Sequence, residues 1–95
     1  MTRRVNTGID RSSSIASGGT AQTLAAAETQ RLAIYGQNIS AGDLWINETG
    51  GTAAANGTGS YRVTAGSTFT VNTNRAISII GATTGQKFTA TEVVL

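Results

Sequence analysis

The chain has 95 residues, of which 39% are hydrophobic and 13% charged, with twelve Gly and no Pro, Cys or His. That length suits one domain around one core, and the missing Cys and His remove disulfides, thiolate metal sites, the commonest metal ligand and the commonest general base. The formal charge of +2 lies wholly within residues 1–14, where Arg3, Arg4 and Arg11 stand against Asp10 alone, an excess too small for a nucleic-acid-binding tail. No apolar run has the length of a membrane span or a signal-peptide core, so the expectation is a soluble chain outside the usual export route, with neither nucleic acid nor membrane as partner.

Charge at half the usual 25% or so is replaced by Thr, Ser, Asn, Gln, Ala and Gly. Thr favours strands and Gly and Asn favour turns, which points to β-structure with frequent turns and to faces that meet neighbours.

In chain order, residues 1–14 carry isolated apolar residues, Val5 and Ile9, without a period. They are expected to form an extended arm before a domain spanning residues 15–95. Such an arm is either unordered in the monomer or ordered against a neighbouring subunit, with Val5 and Ile9 as anchors. Leu24 to Glu28 has helix propensity, but a helix there would offer only Leu24 and alanines to a core. A strand over Gly19 to Leu24 with a turn through Ala26 to Thr29 is expected instead.

Residues 31–47 hold the only Trp, Trp45, and one of the two Tyr, Tyr35. Leu32 and Ile34 alternate with Ala33 and Tyr35, then Leu44 and Ile46 alternate with Trp45 and Asn47. Between them Asn38 to Asp43 is rich in turn formers, so the stretch predicts a β-hairpin. A bulge at Gly36-Gln37 would return Ile39 to the face of Leu32 and Ile34.

Glu48 to Gly59 reads as a long loop or as a short strand between two turns. Tyr61, Val63 and Ala65 then form one face of a strand that turns at Ala65-Gly66-Ser67 and pairs with Phe69 and Val71. A turn at Asn72 to Asn74 precedes a strand with Ile77 and Ile79 inward, and Gly81 to Gly85 loops to a last run with Phe88 and Ala90 inward. Parity puts Glu92 inside as well, so that strand ends or bends there, or else the carboxylate finds a partner. Seven or eight short strands with turns every 8–12 residues predict an all-β, antiparallel β-sandwich or jelly-roll-like domain.

Chemistry is sparse. Without His or Cys the usual nucleophilic dyads and triads cannot be assembled. Asp43 and Glu48 bracket one strand at opposite ends and on opposite faces, which suits solvated turn residues better than a catalytic pair. Gly81 to Lys87 has the wrong spacing for a phosphate loop, with Phe88 where a Ser or Thr would follow the Lys and no helix after it. Sequons at Asn38, Asn47 and Asn56 arise readily in a chain so rich in Asn, Ser and Thr. Tyr35 and Trp45 allow an aromatic platform for a sugar, although a core or interface place explains them better. No catalytic residue, cofactor or metal is expected.

One order of features remains: Arg31…Ile34…Gln37-Asn38-Ile39-Ser40, then Asp43-Leu44-Trp45-Ile46-Asn47, the Gly50 to Ala53 loop, Gly59 to Ser67, Ala76 to Gly81, and Gly85 to Glu92. Over about residues 30–92 this resembles the small β-sandwich virion proteins of tailed bacteriophages, of the capsid decoration (cement) or head-fibre-base type. The resemblance implies a structural virion protein, made in the host cytoplasm and placed on the capsid surface. It would bridge subunits of the major capsid protein, with a homotrimer as the favoured oligomer. Charge and apolarity in the arm nominate Arg3, Arg4, Val5, Ile9 and Arg11 as contact residues. The alternative is a carbohydrate- or receptor-binding module of a tail fibre.

Overall fold

The structure, a computed structural model, describes residues 7–95. Nine strands are found among them: β1 (Thr7–Asp10), β2 (Ser13–Ser14), β3 (Gln22–Ala25), β4 (Arg31–Asn38), β5 (Leu44–Asn47), β6 (Ser60–Val63), β7 (Thr68–Val71), β8 (Ile77–Gly81) and β9 (Lys87–Val94). They form two antiparallel sheets. The first has the order β1-β9-β4-β7 with β2 also beside β9, and the second runs β3-β8-β5-β6. The all-β sandwich expected from the alternation is what the chain builds. Its core is Ile15, Leu24, Ile34, Leu44, Ile46, Val63, Val71, Ile77, Ile79 and Phe88, all nearly inaccessible to solvent.

The connections differ from the hairpins that the turn residues predict. β4 pairs with β7 and β9, whereas β5 pairs with β6 and β8. The stretch 31–47 is therefore an arch that crosses from one sheet to the other. Val63 and Thr68 likewise end up in opposite sheets, although only Thr64–Ser67 separates them. The reason is visible at Asn38, which is fully buried. Its Nδ2 donates to the carbonyls of Gly42 and Val63 at 2.8 Å each, and its Oδ1 accepts from the Ser40 amide at 2.9 Å and the Ser40 hydroxyl at 2.7 Å. Backbone groups that a hairpin ladder would satisfy are satisfied here by one side chain, which frees both arms to pair elsewhere.

The bulge also sits elsewhere. The β4–β9 register shifts between Arg31 and Ala33, while Ile34 to Gln37 pairs regularly with β7. Arg31 and Ile34 thus face inward, Leu32 is turned out to 44% exposure, and Ile39 is 54% exposed in the arch. Gly36 faces the core opposite Phe69 and Ala90. A Cβ there would strike the Thr89 carbonyl and the Phe69 ring, so glycine is what lets that ring approach.

The strand expected over Gly19 to Leu24 lies at Gln22–Ala25. Glu92 does not end β9. It points inward with 1% exposure and finds the partner that parity demanded. Of the expected arm, Arg3, Arg4 and Val5 lie outside the described residues. From Thr7 onward the chain is the edge of the first sheet: Ile9 stands opposite Glu92, the Arg11 amide donates to Ala90 O at 2.8 Å, and Ser13 stands opposite Phe88. The sandwich therefore takes in residues assigned to the arm, because edge backbone groups and one inward Ile give them partners within the chain.

Candidate functional site

Three surfaces gather the side chains that carry chemistry. The first closes one end of the sandwich. Arg31 is buried, with Nε donating to Glu92 Oε2 at 2.7 Å, Nη1 to the carbonyls of Thr73 and Arg75 at 2.8 Å, and Nη2 to Ala26 O. Arg11 reaches the other carboxylate oxygen of Glu92 at 2.8–2.9 Å. Burial alone would raise the Glu92 pKa, but the hydrogen bonds and charges of the two guanidiniums outweigh it and hold the carboxyl below its ordinary value. The buried Arg31 and Glu92 charges answer each other, and Arg11 reaches Glu92 from the solvent side, so the role of the cluster is to hold the fold.

The second surface is the outer face of the first sheet. Tyr35 stands in one row with Asp10, Thr91 and Thr70, and Gln37 in the next with Thr89 and Thr68. The Tyr35 ring is 51% exposed among these threonines. Hydrogen bonds from the Ser12 hydroxyl and amide keep the exposed Asp10 carboxyl below its ordinary value. Trp45 lies on the other side of the molecule, on the outer face of the second sheet between Ile80 and Arg62, with the guanidinium 5.9 Å from the ring centroid. Tyr35 and Trp45 therefore cannot form one aromatic platform.

The third surface is a groove along one open side of the sandwich, between β6 and β7, an edge strand of each sheet among the described residues. Its inner part, about 240 Å³, is lined by Ile46, Tyr61, Val63, Phe69 and Val71. Glu48 and Thr70 line this part and also the adjoining outer part of about 570 Å³, which adds Thr49, Asn72, Thr73 and Arg75. Tyr61 pairs with Ile46, so parity turns it toward the core. On an edge strand with no neighbour beyond it the ring remains 67% exposed. Among the described residues neither Glu48 nor the Arg75 side chain has an ion-pair or hydrogen-bonded partner. Asp43, by contrast, sits at the other end of β5, 4.0 Å from Arg62. An apolar wall, an accessible aromatic ring and opposite charges at the mouth suit an amphipathic ligand.

Of the sequence-nominated contact residues, Ile9 is half-buried in β1 and Arg11 is held by Glu92. They form no common patch with the groove. Sequence reasoning does not single out Tyr61, Glu48 and Arg75 as a set, since they meet only because the β5–β6 and β7–β8 connections lie at the same end of the sandwich. The one sequence signal is an inward-parity Tyr on a strand flanked by loops.

No protein-family model and no curated protein matches the chain. Among solved structures its fold is similar to the stem and receptor binding domain of the spike protein P1 from bacteriophage PM2, with a TM-score of 0.58 and 18% sequence identity. The likeness covers 86% of this chain and 31% of the spike chain, so the chain spans about a third of that structure.

Proposed function

We propose that this chain is a structural module of a bacteriophage virion, displayed on the outside of the particle and acting by attachment, without turnover. The observation that carries the reading is the fold shared with a phage spike domain over 86% of the chain. It agrees in kind with the resemblance of residues 30–92 to phage sandwich proteins. The low-charge, threonine-rich outer face of the first sheet supports attachment, because polar contact surfaces of this type bind through many small contacts.

The finer reading is capsid decoration: a homotrimer bridging major capsid subunits, with Arg3 and Arg4 as contact residues. A protein that binds only the assembled lattice stabilises it by mass action. Purified protein added to heads that lack it should sediment with them and raise their melting temperature, and Arg3→Glu with Arg4→Glu should weaken both effects. Immunogold labelling of intact particles tests the broader reading. Particles that carry none of the protein and heads that ignore it would overturn the proposal.

A second reading, a receptor-binding module at the periphery of the particle, is favoured by the groove between β6 and β7. Decoration does not account for a ring as exposed as Tyr61 beside Glu48 and Arg75, whose side chains are unpaired among the described residues.

A further inference from the structure

We infer that the groove between β6 and β7 binds an uncharged saccharide, stacked on Tyr61 and held at its hydroxyls by Glu48, Arg75 and Thr70; the inference rests on the receptor-binding reading above. A pyranose presents an apolar C–H face and an equatorial ring of hydroxyls. The groove offers the complement in the same order, with Tyr61, Phe69 and Ile46 inside and Thr70, Glu48 and Arg75 at the mouth. A carboxylate accepts from sugar hydroxyls and a guanidinium donates to them, so an unpaired acid and an unpaired base can share one diol.

Charge decides the class of sugar. One Glu and one Arg at the mouth sum to no net charge, so a uronate or sialate carboxylate would gain from Arg75 and lose to Glu48. A neutral hexose offers both groups a partner and meets no repulsion. The two parts of the groove, about 240 and 570 Å³, bracket the lower part of the range of roughly 300–1,000 Å³ of small-ligand sites. Asn72 adds an acceptor at Oδ1 and one further N–H, since its Nδ2 donates only one hydrogen to Leu32 O, at 3.3 Å. The inner wall of the site is packed before binding: Phe69 lies against Gly36, and Val71 and Ile46 belong to the core.

The test uses the full chain, isotope-labelled, with neutral oligosaccharides (glucan, mannan and galactan fragments) and acidic ones (oligosialate, oligogalacturonate) as probes in titrations followed by amide chemical shifts. The expected result is saturable binding of at least one neutral probe, with shifts at Tyr61, Phe69, Thr70 and Arg75 and none at Thr91 or Asp10. Tyr61→Ala should weaken that binding about tenfold and Arg75→Gln several-fold. Tyr35→Ala should leave it unchanged. Because Tyr61 is two-thirds exposed, its variant is expected to melt with the parent, which separates loss of the site from loss of the fold.

Binding of acidic probes alone, shifts centred on Tyr35, groove shifts that track protein concentration without sugar, or a Tyr61→Ala variant that binds as well as the parent would each overturn the inference. So would the absence of any groove shift with every neutral probe. Particles that carry the protein while no sugar enters the groove would sink this inference and leave the virion reading standing. Sugar binding by a protein absent from particles would do the reverse.

Discussion

At one end of the sandwich Asn38 and Gln86 hold the connections 39–43, 64–67 and 82–86 with neutral amides, while at the other Arg31 and Glu92 hold 26–30 and 72–76 with buried charge. Gln86 mirrors Asn38: its Nε2 donates to Asp43 O at 3.1 Å and Ser40 Oγ at 3.2 Å, and its Oε1 accepts the Thr83 amide at 2.9 Å. Both ends solve one problem. In arches the turning backbone groups lack ladder partners, and those buried near the core must find side chains. The neutral solution works at any pH and fails gently, whereas the charged one is stronger in place and far costlier to break. The groove mouth with Arg75 opens at the charged end, so the least replaceable contacts lie nearest the candidate site.

The largest expected effect comes from breaking the charged end. Glu92→Ala leaves the Arg31 guanidinium buried without its carboxylate, and removing one partner of such a pair costs roughly 3–5 kcal/mol, measurable by urea unfolding. The same pair sets an acid limit. Since the folded Glu92 pKa is depressed, its contribution is present above the ordinary carboxylate pKa of about 4.3 and is lost as pH falls through the lower folded value. Unfolding free energy should therefore decline in acid below about pH 4. Asp10 shifts the same way, so the difference between the parent and Glu92→Gln across that window isolates Glu92.

Breaking the neutral end should cost less and carry no such pH dependence. Asn38→Ala strands the Val63 carbonyl and the Ser40 amide, while Gly42 O keeps the Ser40 hydroxyl at 3.0 Å, for about 2–3 kcal/mol given roughly 1–3 for each group left unpaired and partial rescue by water at the arch. Its free-energy loss should be the same at about pH 4 as at about pH 7, since an amide does not titrate. A loss that grows in acid would show that the two ends are coupled through β4 and do not act separately. Between the two ends, Gly36→Ala drives a Cβ into the Thr89 carbonyl and the Phe69 ring, so β9 must shift as well as the ring, and it should cost about 1–3 kcal/mol as overpacking, with disturbed shifts along β9 and at the inner wall of the groove.

The same contrast explains what the sequence disclosed. Alternation reveals the strands and the inward positions of Ile34, Leu44, Ile46, Val63, Val71, Ile77, Ile79 and Phe88, because period two reports which face is buried whatever the neighbour. It cannot separate a hairpin from an arch. Asn38 and Gly66 are ordinary turn residues in either, and the difference lies in where Asn38 points, which depends on Val63 far along the chain. A bulge is expected at Gly36 because glycine marks bulges, yet Gly36 serves a ring contact. The true bulge lies at Arg31–Ala33, where an inward Arg is needed to meet Glu92. Parity places Glu92 inside and requires a partner but cannot name Arg31. The groove is the least legible part, since Glu48, Tyr61 and Arg75 belong to three separate segments and share no motif.

The smallest effect concerns Arg11, which shares Glu92 with Arg31 but is 41% exposed against 0% for the Arg31 side chain. Water screens the outer pair and already solvates much of its guanidinium, so Arg11→Ala should cost at most about 1 kcal/mol. Arg31→Ala, by contrast, leaves four hydrogen-bonded groups bare. Charge in the arm also nominates Arg11 as an attachment residue. Arg11 lies on the β1 side of the first sheet, away from the groove, with Nε and Nη2 engaged by Glu92, so the Arg11→Ala variant should bind phage heads or neutral sugar as the parent does while melting a few degrees lower. A large loss of attachment at unchanged stability would move the binding surface from the groove to the β1 edge, and would exchange the roles of the two sides of the first sheet.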